Sequence, residues 1–244
     1  MRISVKTDVG LTRSVNQDAF SYGEFSETAA WAVVCDGMGG ASAGDVASSV
    51  ASSLIAEKLK KSFSPDMNSA SVINLIKSVV ETANSKLYSM ASENPDLQGM
   101  GTTVVVAIIS GSKIYIANAG DSRAYYYCKE NGLTQITKDH SVVQAMVELG
   151  EITPDEARNH PRKNIITRAL GVEDTIELDF YENEMDADGV LLICSDGLTN
   201  YVVDEEIEKL IVNTEFDKLA EVLVDSANEK GGGDNITVVT VASC

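Results

Sequence analysis

Residues Ala30–Gly44 have the sequence AWAVVCDGMGGASAG. Its apolar part, Trp31–Cys35, predicts a buried strand. That strand leads into Asp36, then into three glycines within four positions, and a helical pattern follows. A carboxylate at the edge of a core can be a turn residue, part of a dinucleotide-binding loop or a metal ligand. The rest of the sequence is needed to choose among them.

Length and composition describe an ordinary globular chain with an unusual charge. The 244 residues are 44% hydrophobic and 23% charged, which is enough to bury a full core. We find no low-complexity linker and expect a single domain over residues 1–244. The net charge of −18, with no basic patch, argues against nucleic acid or an anionic membrane as partner.

The cysteines and the N-terminus bear on the compartment. The chain has four cysteines without CxxC spacing, Cys35, Cys128, Cys194 and Cys244. We expect them to be reduced thiols, since disulfides are rare in the cytosol. The N-terminus lacks the apolar segment of a signal peptide, and no run reaches the ~18 apolar residues of a membrane span. We expect a cytoplasmic monomer.

Periodicity predicts the architecture. Strands are predicted at Trp31–Cys35, Thr102–Ile109, Lys113–Asn118, Arg123–Cys128, Val190–Cys194 and Ile236–Val241. Apolar residues with helical spacing follow Val46, Val72 and Phe216. A tight hairpin at Ser110–Lys113 favours antiparallel pairing. The order of the elements predicts an α+β fold with helices layered on antiparallel sheets.

One segment, from about His140 to Gly171, is polar and irregular and contains both histidines, His140 and His160. We expect short helices near residues 142–149 and 154–159. Long polar excursions from a sheet often cover functional sites, so this segment is predicted to be a flap over a site.

Four aspartates share one setting, because each lies at the end of a predicted strand and within one residue of a glycine. They are Asp36, Asp121, Asp196 and Asp234. A single Asp-Gly pair is usually a turn, but Asp36 and Asp196 lead into helical segments instead of partner strands. Ends of adjacent strands lie side by side, so the carboxylates can converge. Buried like charges are costly unless a cation neutralises them.

The donor types indicate the cation. Oxygen-only ligands suit Mg²⁺ or Mn²⁺, whereas zinc would take histidine or cysteine. Gly37 has no Cβ, so its own carbonyl can approach a metal. Two such ions about 3.5–4 Å apart, bridged by one aspartate, are a common device for hydrolysing phosphate esters.

The dinucleotide-binding alternative rests on GMGGAS, which follows a strand and precedes a helix. The third glycine of that fingerprint is missing, and the acidic residue at the expected distance, Glu57, lies within a helical pattern. We therefore favour the metal site.

Eight stretches together resemble the metal-dependent serine/threonine protein phosphatases, the PPM or type 2C family, in their bacterial single-domain form. They are TDVGLTRSVNQDAF, VVCDGMGGASAG, MGTTVVVAII, IYIANAGDSRAY, ITKDHSVV, HPRKNIITRALG, LLICSDGLTNYV and GGGDNITVVTV. They occur in family order from Thr7 to Val241. The resemblance implies a four-layer α/β/β/α sandwich of two antiparallel sheets flanked by helices, with a metal cleft at one edge and the flap, about residues 140–171, beside it.

The resemblance also implies roles for the metal ligands, two Mn²⁺ or Mg²⁺ ions being expected. Asp36 would bridge both ions and Gly37 would bind one of them through its carbonyl. Asp196 and Asp234 would complete the other ion's shell. Asp121, together with Asp196, would hold a third, weaker metal.

Further residues take supporting roles by the same resemblance. Arg13 would bind the substrate phosphate, which suits its planar fork. Asp18 would be an acid near the metal waters, and Asn235 a residue that orients the ligands. His140 is expected to hold the base of the flap, while Thr102 and Thr103 pack or form hydrogen bonds in the core.

The implied activity is hydrolysis of phosphoserine and phosphothreonine in proteins, by a metal-bridged hydroxide attacking phosphorus in line. The substrates would be phosphoproteins, and family analogy adds an opposing Ser/Thr kinase. Two alternatives are a binding protein that holds a phosphoprotein without cleaving it, and an enzyme for small phosphate esters or one regulatory phosphoprotein.

One position departs from a pattern in the family. Many eukaryotic members have a histidine, proposed as the general acid, where this chain has Met38. The thioether of methionine cannot donate a proton.

Overall fold

The computed structural model describes residues 1–243, with the side chains of residues 40–42 outside that description. The strands are β1 Arg2–Asp8, β2 Asp18–Ser26, β3 Ala29–Met38, β4 Gly101–Thr102, β5 Val104–Ser110, β6 Lys113–Ala119, β7 Arg123–Cys128, β8 Gly132–Gln135, β9 Asp179–Glu184, β10 Val190–Cys194 and β11 Ile236–Ala242. The α-helices are α1 Gly40–Ser62, α2 Ser69–Glu93, α3 Val142–Glu148, α4 Pro154–Arg158, α5 Asp196–Thr199, α6 Asp204–Asn213 and α7 Phe216–Glu229.

The strands form two antiparallel sheets. One sheet has the order β1-β11-β10-β7-β8, and the other has the order β2-β3-β5-β6-β9 with β4 added beside β3. The predicted hairpin joins β5 to β6, with Ser110 paired to Lys113. Gly111 in its two-residue turn has φ +61°, a left-handed conformation that glycine adopts without strain.

Alternation along β3 explains the layers, since successive side chains of a strand point to opposite faces. Trp31, Val33 and Cys35 pack in one cluster with residues of α1 and α2. Ala30, Ala32 and Val34 pack in a second cluster with residues of the other sheet. Helices α5, α6 and α7 cover the outer face of that other sheet. The predicted α/β/β/α sandwich is therefore confirmed.

The predicted strands differ from the observed ones near the expected site. β3 does not end at Cys35, because Asp36 still pairs with Asp18 and Met38 pairs with Gly101. The segment predicted as one strand from Thr102 is two strands, interrupted at Thr103. Strands β1, β2, β8 and β9 were not predicted, because they are only partly buried and carry mixed polar and apolar residues.

The cysteines within the described residues, Cys35, Cys128 and Cys194, are buried and free, as expected. Cys244 lies outside the described residues. Among the helices of residues 1–243, none has the length and apolar character needed to cross a bilayer.

The flap segment is anchored at both ends to the sheet that carries Asp36. At its start, the His140 amide donates to the Gly120 carbonyl (2.9 Å). At its end, Leu170 and Thr102 exchange two backbone hydrogen bonds (2.8 and 3.1 Å). Between these anchors lie α3 and α4, close to the predicted short helices. The flap therefore leaves and rejoins the core beside the strands that carry predicted site residues.

Candidate active site

A cavity of about 540 Å³ gathers most of the predicted site residues. Its described lining includes six of the seven residues proposed for catalysis or metal binding: Arg13, Asp36, Gly37, Asp121, Asp196 and Asp234. The seventh, Asp18, does not line the cavity. It is paired with Asp36 across β2 and β3, so the two side chains lie next to each other on the same face of the sheet.

Each aspartate reaches the cavity from a different element. Asp36 continues the row Ala30, Ala32, Val34 that faces the other sheet, and therefore lies at the edge between the two sheets. Asp121 follows β6 and Asp196 follows β10, while Asp234 precedes β11. The convergence predicted from strand ends is thus present in the fold.

Burial and mutual repulsion disfavour the charged forms of these acids. Burial, followed by the charges of Asp18 and Asp196, raises the pKa of Asp36 well above its usual range. Burial also raises the pKa of Asp196 and of Asp121, with the nearby charges of Asp234 and Asp196 respectively adding to it. A cluster of this kind is stabilised as a set of carboxylates only by a cation.

Two buried carboxylate oxygens have no hydrogen-bond partner and are therefore available to bind a cation. Within the described residues, Oδ1 of Asp18 and Oδ1 of Asp196 accept no hydrogen bond. The other oxygen of Asp18 accepts from the Ser195 hydroxyl (2.7 Å), and burial raises the pKa of Asp18 to about 7. Unsatisfied carboxylate oxygens in or next to a cavity of about 540 Å³ are the donors that hard divalent cations prefer.

The carboxylates do not form a complete ligand shell by themselves. In the part of the chain that the structure describes, no three His, Cys, Asp or Glu side chains are arranged to hold one ion. Mg²⁺ and similar ions are commonly bound by one or two carboxylates, with water completing the shell. The donor set therefore fits ions that keep several water ligands.

Packing around Gly37 leaves no room for a side chain. A Cβ at this position would lie 2.0 Å from the Gly44 carbonyl oxygen and 2.6 Å from that of Gln17. The backbone of α1 and the chain entering β2 thus approach Gly37 too closely for any side chain. Close packing is therefore a reason for glycine at this position that does not depend on a metal.

Two threonines at the break between β4 and β5 form hydrogen bonds to the backbone of Asp36. The Thr103 hydroxyl accepts from the Asp36 amide (2.9 Å), and the Thr103 amide donates to the Asp36 carbonyl (2.9 Å). The Thr102 hydroxyl donates to the same carbonyl (2.9 Å). Both threonines are buried, so the expectation that they form hydrogen bonds in the core is confirmed, and their partner is Asp36.

Arg13 lies in the loop between β1 and β2. Its guanidinium donates to Oδ2 of Asp234 (2.9 Å), and about half of the side chain is exposed, 51%. The hydrogen bond and charge of Asp234 raise the pKa of Arg13, so it is cationic at any physiological pH. A guanidinium with remaining donors at the mouth of an acidic cavity can bind a phosphate oxygen.

Among the described lining residues, the side chains that could donate a proton or attack phosphorus are carboxyl groups and the hydroxyls of Ser14 and Thr103. Met38 lines the cavity, and no described histidine, lysine, tyrosine or cysteine does. Burial raises the pKa of the Cys194 thiol to about 12 and that of Cys35 higher still, so neither is a thiolate at neutral pH.

His140 lies at the start of the segment of residues 140–171. Its Nδ1 accepts from the Gly120 amide (3.1 Å), and its Nε2 lies 3.2 Å from Asp179. Burial lowers its pKa. This histidine therefore ties the flap to the segment that carries Asp121.

Several lining residues were not singled out from the sequence. The flap contributes Asn164 and Ile166, and the β1–β2 loop contributes Ser14 and Val15. Ser195, the partner of Asp18, was also missed. All lie within the stretches that carry the family resemblance or directly beside a predicted ligand, which is the only signal the sequence offers for them.

Comparison with known proteins gives one consistent family. The family model for protein phosphatase 2C matches residues 12–236. The serine/threonine phosphatase stp of Listeria welshimeri serovar 6b is 39% identical over 242 residues, which cover 99% of this chain and 95% of that protein.

Solved structures agree in fold over nearly the whole chain. The serine/threonine phosphatase Stp1 from Staphylococcus aureus superposes with a TM-score of 0.92 at 35% identity, covering 98% of this chain and 94% of that one. The catalytic domain of the serine threonine protein phosphatase PstP, solved in complex with two manganese ions, gives 0.84 at 34% identity, covering 98% and 96%.

Proposed function

Because this chain belongs to the protein phosphatase 2C family, we propose that it hydrolyses phosphoserine and phosphothreonine in proteins in a metal-dependent reaction. The observation that carries the proposal is the meeting of Asp36, Asp121, Asp196 and Asp234 with Arg13 around one cavity. This arrangement combines a site for divalent cations with a site for a phosphate group.

The residues that would hold the metals follow from the cavity. Two Mn²⁺ or Mg²⁺ ions would be bound by Asp36, Gly37, Asp196 and Asp234, with Asp36 shared between them. Asp121 and Asp196 would hold a third, weaker ion. When bound, such ions activate water and neutralise the charge of the phosphoryl group. The manganese complex of the similar PstP domain supports this proposal.

The chain's own residues position the reactants. Arg13 would bind the equatorial oxygens of the phosphoryl group with its planar fork, both in the bound substrate and during transfer. Asp18 would accept hydrogen bonds from water at the cluster through its unpartnered oxygen. Thr102 and Thr103 fix the backbone of Asp36. Because Met38 donates no proton, the leaving alkoxide would take its proton from water or from a carboxyl group.

The finer assignments belong to the same proposal. Residues 1–244 would work as a single domain, with residues 140–171 as the flap beside the cleft. The buried free thiols fit a reducing compartment such as the cytoplasm. We propose a monomer that acts on phosphoproteins, opposes a Ser/Thr kinase, and binds neither nucleic acid nor membrane.

The test is phosphate release from a panel of substrates. Phosphothreonine and phosphoserine peptides, a phosphotyrosine peptide and small phosphate esters are compared at equal concentration with Mn²⁺, with Mg²⁺ and with EDTA. We expect turnover of the first two with either metal and none with EDTA. Inactivity at saturating Mn²⁺ with retained peptide binding would instead indicate a phosphoprotein-binding protein. Preferred turnover of small esters would indicate a metabolite phosphatase.

A further inference from the structure

The carboxamide of Asn235 binds the loop that carries Arg13. Asn235 is the first residue after Asp234, and its side chain is buried, with 5% exposed. Its Oδ1 accepts from the Gln17 amide (2.8 Å). Its Nδ2 donates to the carbonyls of Val9 (2.9 Å) and Val15 (3.0 Å).

These three bonds reach both ends of one loop. The loop runs from residue 9 to residue 17 between β1 and β2, and Arg13 is its central residue. Residues 11–15 are all exposed, so little packing fixes the loop. Other anchors are the Leu11 amide, which donates to the Gly232 carbonyl (2.7 Å), the Gln17 carbonyl, which accepts from the Gly37 amide (3.0 Å), and the ion pair of Arg13 with Asp234 (2.9 Å). Of these groups, Asn235 is the one that bonds to both ends of the loop, so the place of the Arg13 guanidinium depends on its bonds as well.

We infer that Asn235 is a positioning residue for Arg13: its carboxamide holds the loop so that the guanidinium lies over the cavity. This inference rests on the proposed function, because it assumes that Arg13 binds the substrate phosphate. It differs from the role expected from the sequence, in which Asn235 orients metal ligands. The bond from Asn235 to Oδ1 of Asp234 comes from the backbone amide (2.9 Å) and is retained when the side chain is changed.

The chain supplies a matched control in Asn84. This buried asparagine on α2 accepts from the Gly171 amide (2.8 Å) and donates to the carbonyls of Glu173 (3.0 Å) and Asp174 (3.2 Å). It therefore makes the same three kinds of backbone bond to a different loop. Asn235→Ala and Asn84→Ala each remove three hydrogen bonds from a buried site, so both variants should lose similar stability.

The kinetic test is a double-mutant cycle with Arg13→Ala on a phosphothreonine peptide with saturating Mn²⁺. We expect Asn235→Ala to raise KM about tenfold, since losing one charge-assisted hydrogen bond to the phosphate lowers the affinity for substrate by about that factor. We expect kcat within about threefold of the wild type and an unchanged Mn²⁺ concentration for half-maximal activity. Adding Asn235→Ala to Arg13→Ala should change KM less than twofold, because the guanidinium is already gone.

Three results would overturn the inference. In the first, the KM of the double variant rises by the product of the two single-variant factors, which would mean that Asn235 and Arg13 act independently. The second is a shift in Mn²⁺ dependence as large as that of Asp234→Ala. The third is an equal KM effect of Asn84→Ala, which would mark a general loss of stability.

Hydrogen exchange gives a measurement that does not need activity. In the metal-free protein, Asn235→Ala should speed exchange in peptides covering residues 9–17 about tenfold or more, because the Gln17 amide loses its acceptor. Asn84→Ala should speed exchange only near residue 171. Unchanged exchange over residues 9–17 in Asn235→Ala would contradict the inference. If the wild type cleaves no phosphopeptide, the proposed function fails, while this exchange result still decides whether Asn235 holds the loop.

Discussion

At the scale of single residues, the site is defined by acids that are buried together. Asp36 lies among three other carboxylates of the cavity, and Asp18 is its cross-strand neighbour. The fold keeps these charges close although they repel each other. A protein that tolerates such repulsion without a cation sacrifices stability for a binding site, which is common at functional positions.

A neutral residue at position 36 should therefore change stability in opposite directions with and without metal. Asp36→Asn removes one buried charge while keeping shape. We expect the metal-free melting temperature to rise by about 2–4 °C, as for about 1 kcal/mol in a domain of this size. Mn²⁺ should raise the melting temperature of the wild type strongly and that of Asp36→Asn much less. Thermal scans with EDTA and with Mn²⁺ measure this, and an equal Mn²⁺ shift in both proteins would contradict it.

At the scale of elements, the break between β4 and β5 matters most for the site. A continuous strand would pair with β3 through its backbone alone. The break at Thr103 instead presents a hydroxyl to the Asp36 amide, and that hydroxyl also contacts the Ser122 hydroxyl (2.7 Å). Strand pairing thus brings Asp36 to the cavity, and side-chain hydrogen bonds fix it there.

Removing the Thr103 hydroxyl should lower both stability and turnover. Thr103→Val keeps the volume but leaves the Asp36 amide without its side-chain partner. We expect a loss of about 1–3 kcal/mol in the free energy of unfolding, measured by urea denaturation, and a lower kcat on a phosphothreonine peptide. Thr103→Ser keeps the hydroxyl and should retain most of the turnover. Equal turnover by Thr103→Val and the wild type would show that this bond does not position Asp36.

The elements also show how far the sequence allowed prediction. The apolar alternation on β3 and the hairpin at Ser110–Lys113 were sufficient to predict layered antiparallel sheets. Strands β1 and β2 were not predicted, because their residues are only partly buried and show no clear alternation of apolar and polar side chains. The pairing of Asp18 with Asp36 depends on the register of β2 and β3, and the bonds of Asn235 depend on a loop more than 200 residues away in the chain. Neither can be derived from local patterns.

At the scale of the whole molecule, the net charge of −18 affects the folded state as a whole. Like charges on a compact surface repel each other, and the compact state suffers more than the unfolded chain. Salt bridges such as Arg2–Asp217 and Lys129–Asp188 are largely exposed, so each contributes little.

Screening should therefore stabilise the metal-free protein. Raising NaCl from about 20 mM to about 500 mM shortens the Debye length from about 20 Å to a few ångströms. We expect the melting temperature in EDTA to rise by a few degrees. A melting temperature that is flat or falls with NaCl would mean that the exposed ion pairs outweigh the net repulsion.

If Asp36 holds the cations on which phosphoester hydrolysis depends, as proposed, its removal should abolish turnover. The most direct test measures phosphate release from a phosphothreonine peptide by the wild type and Asp36→Ala over a full Mn²⁺ titration. We expect saturable turnover by the wild type and a loss of about a thousandfold or more in the variant at every Mn²⁺ concentration. Full activity of Asp36→Ala would contradict it.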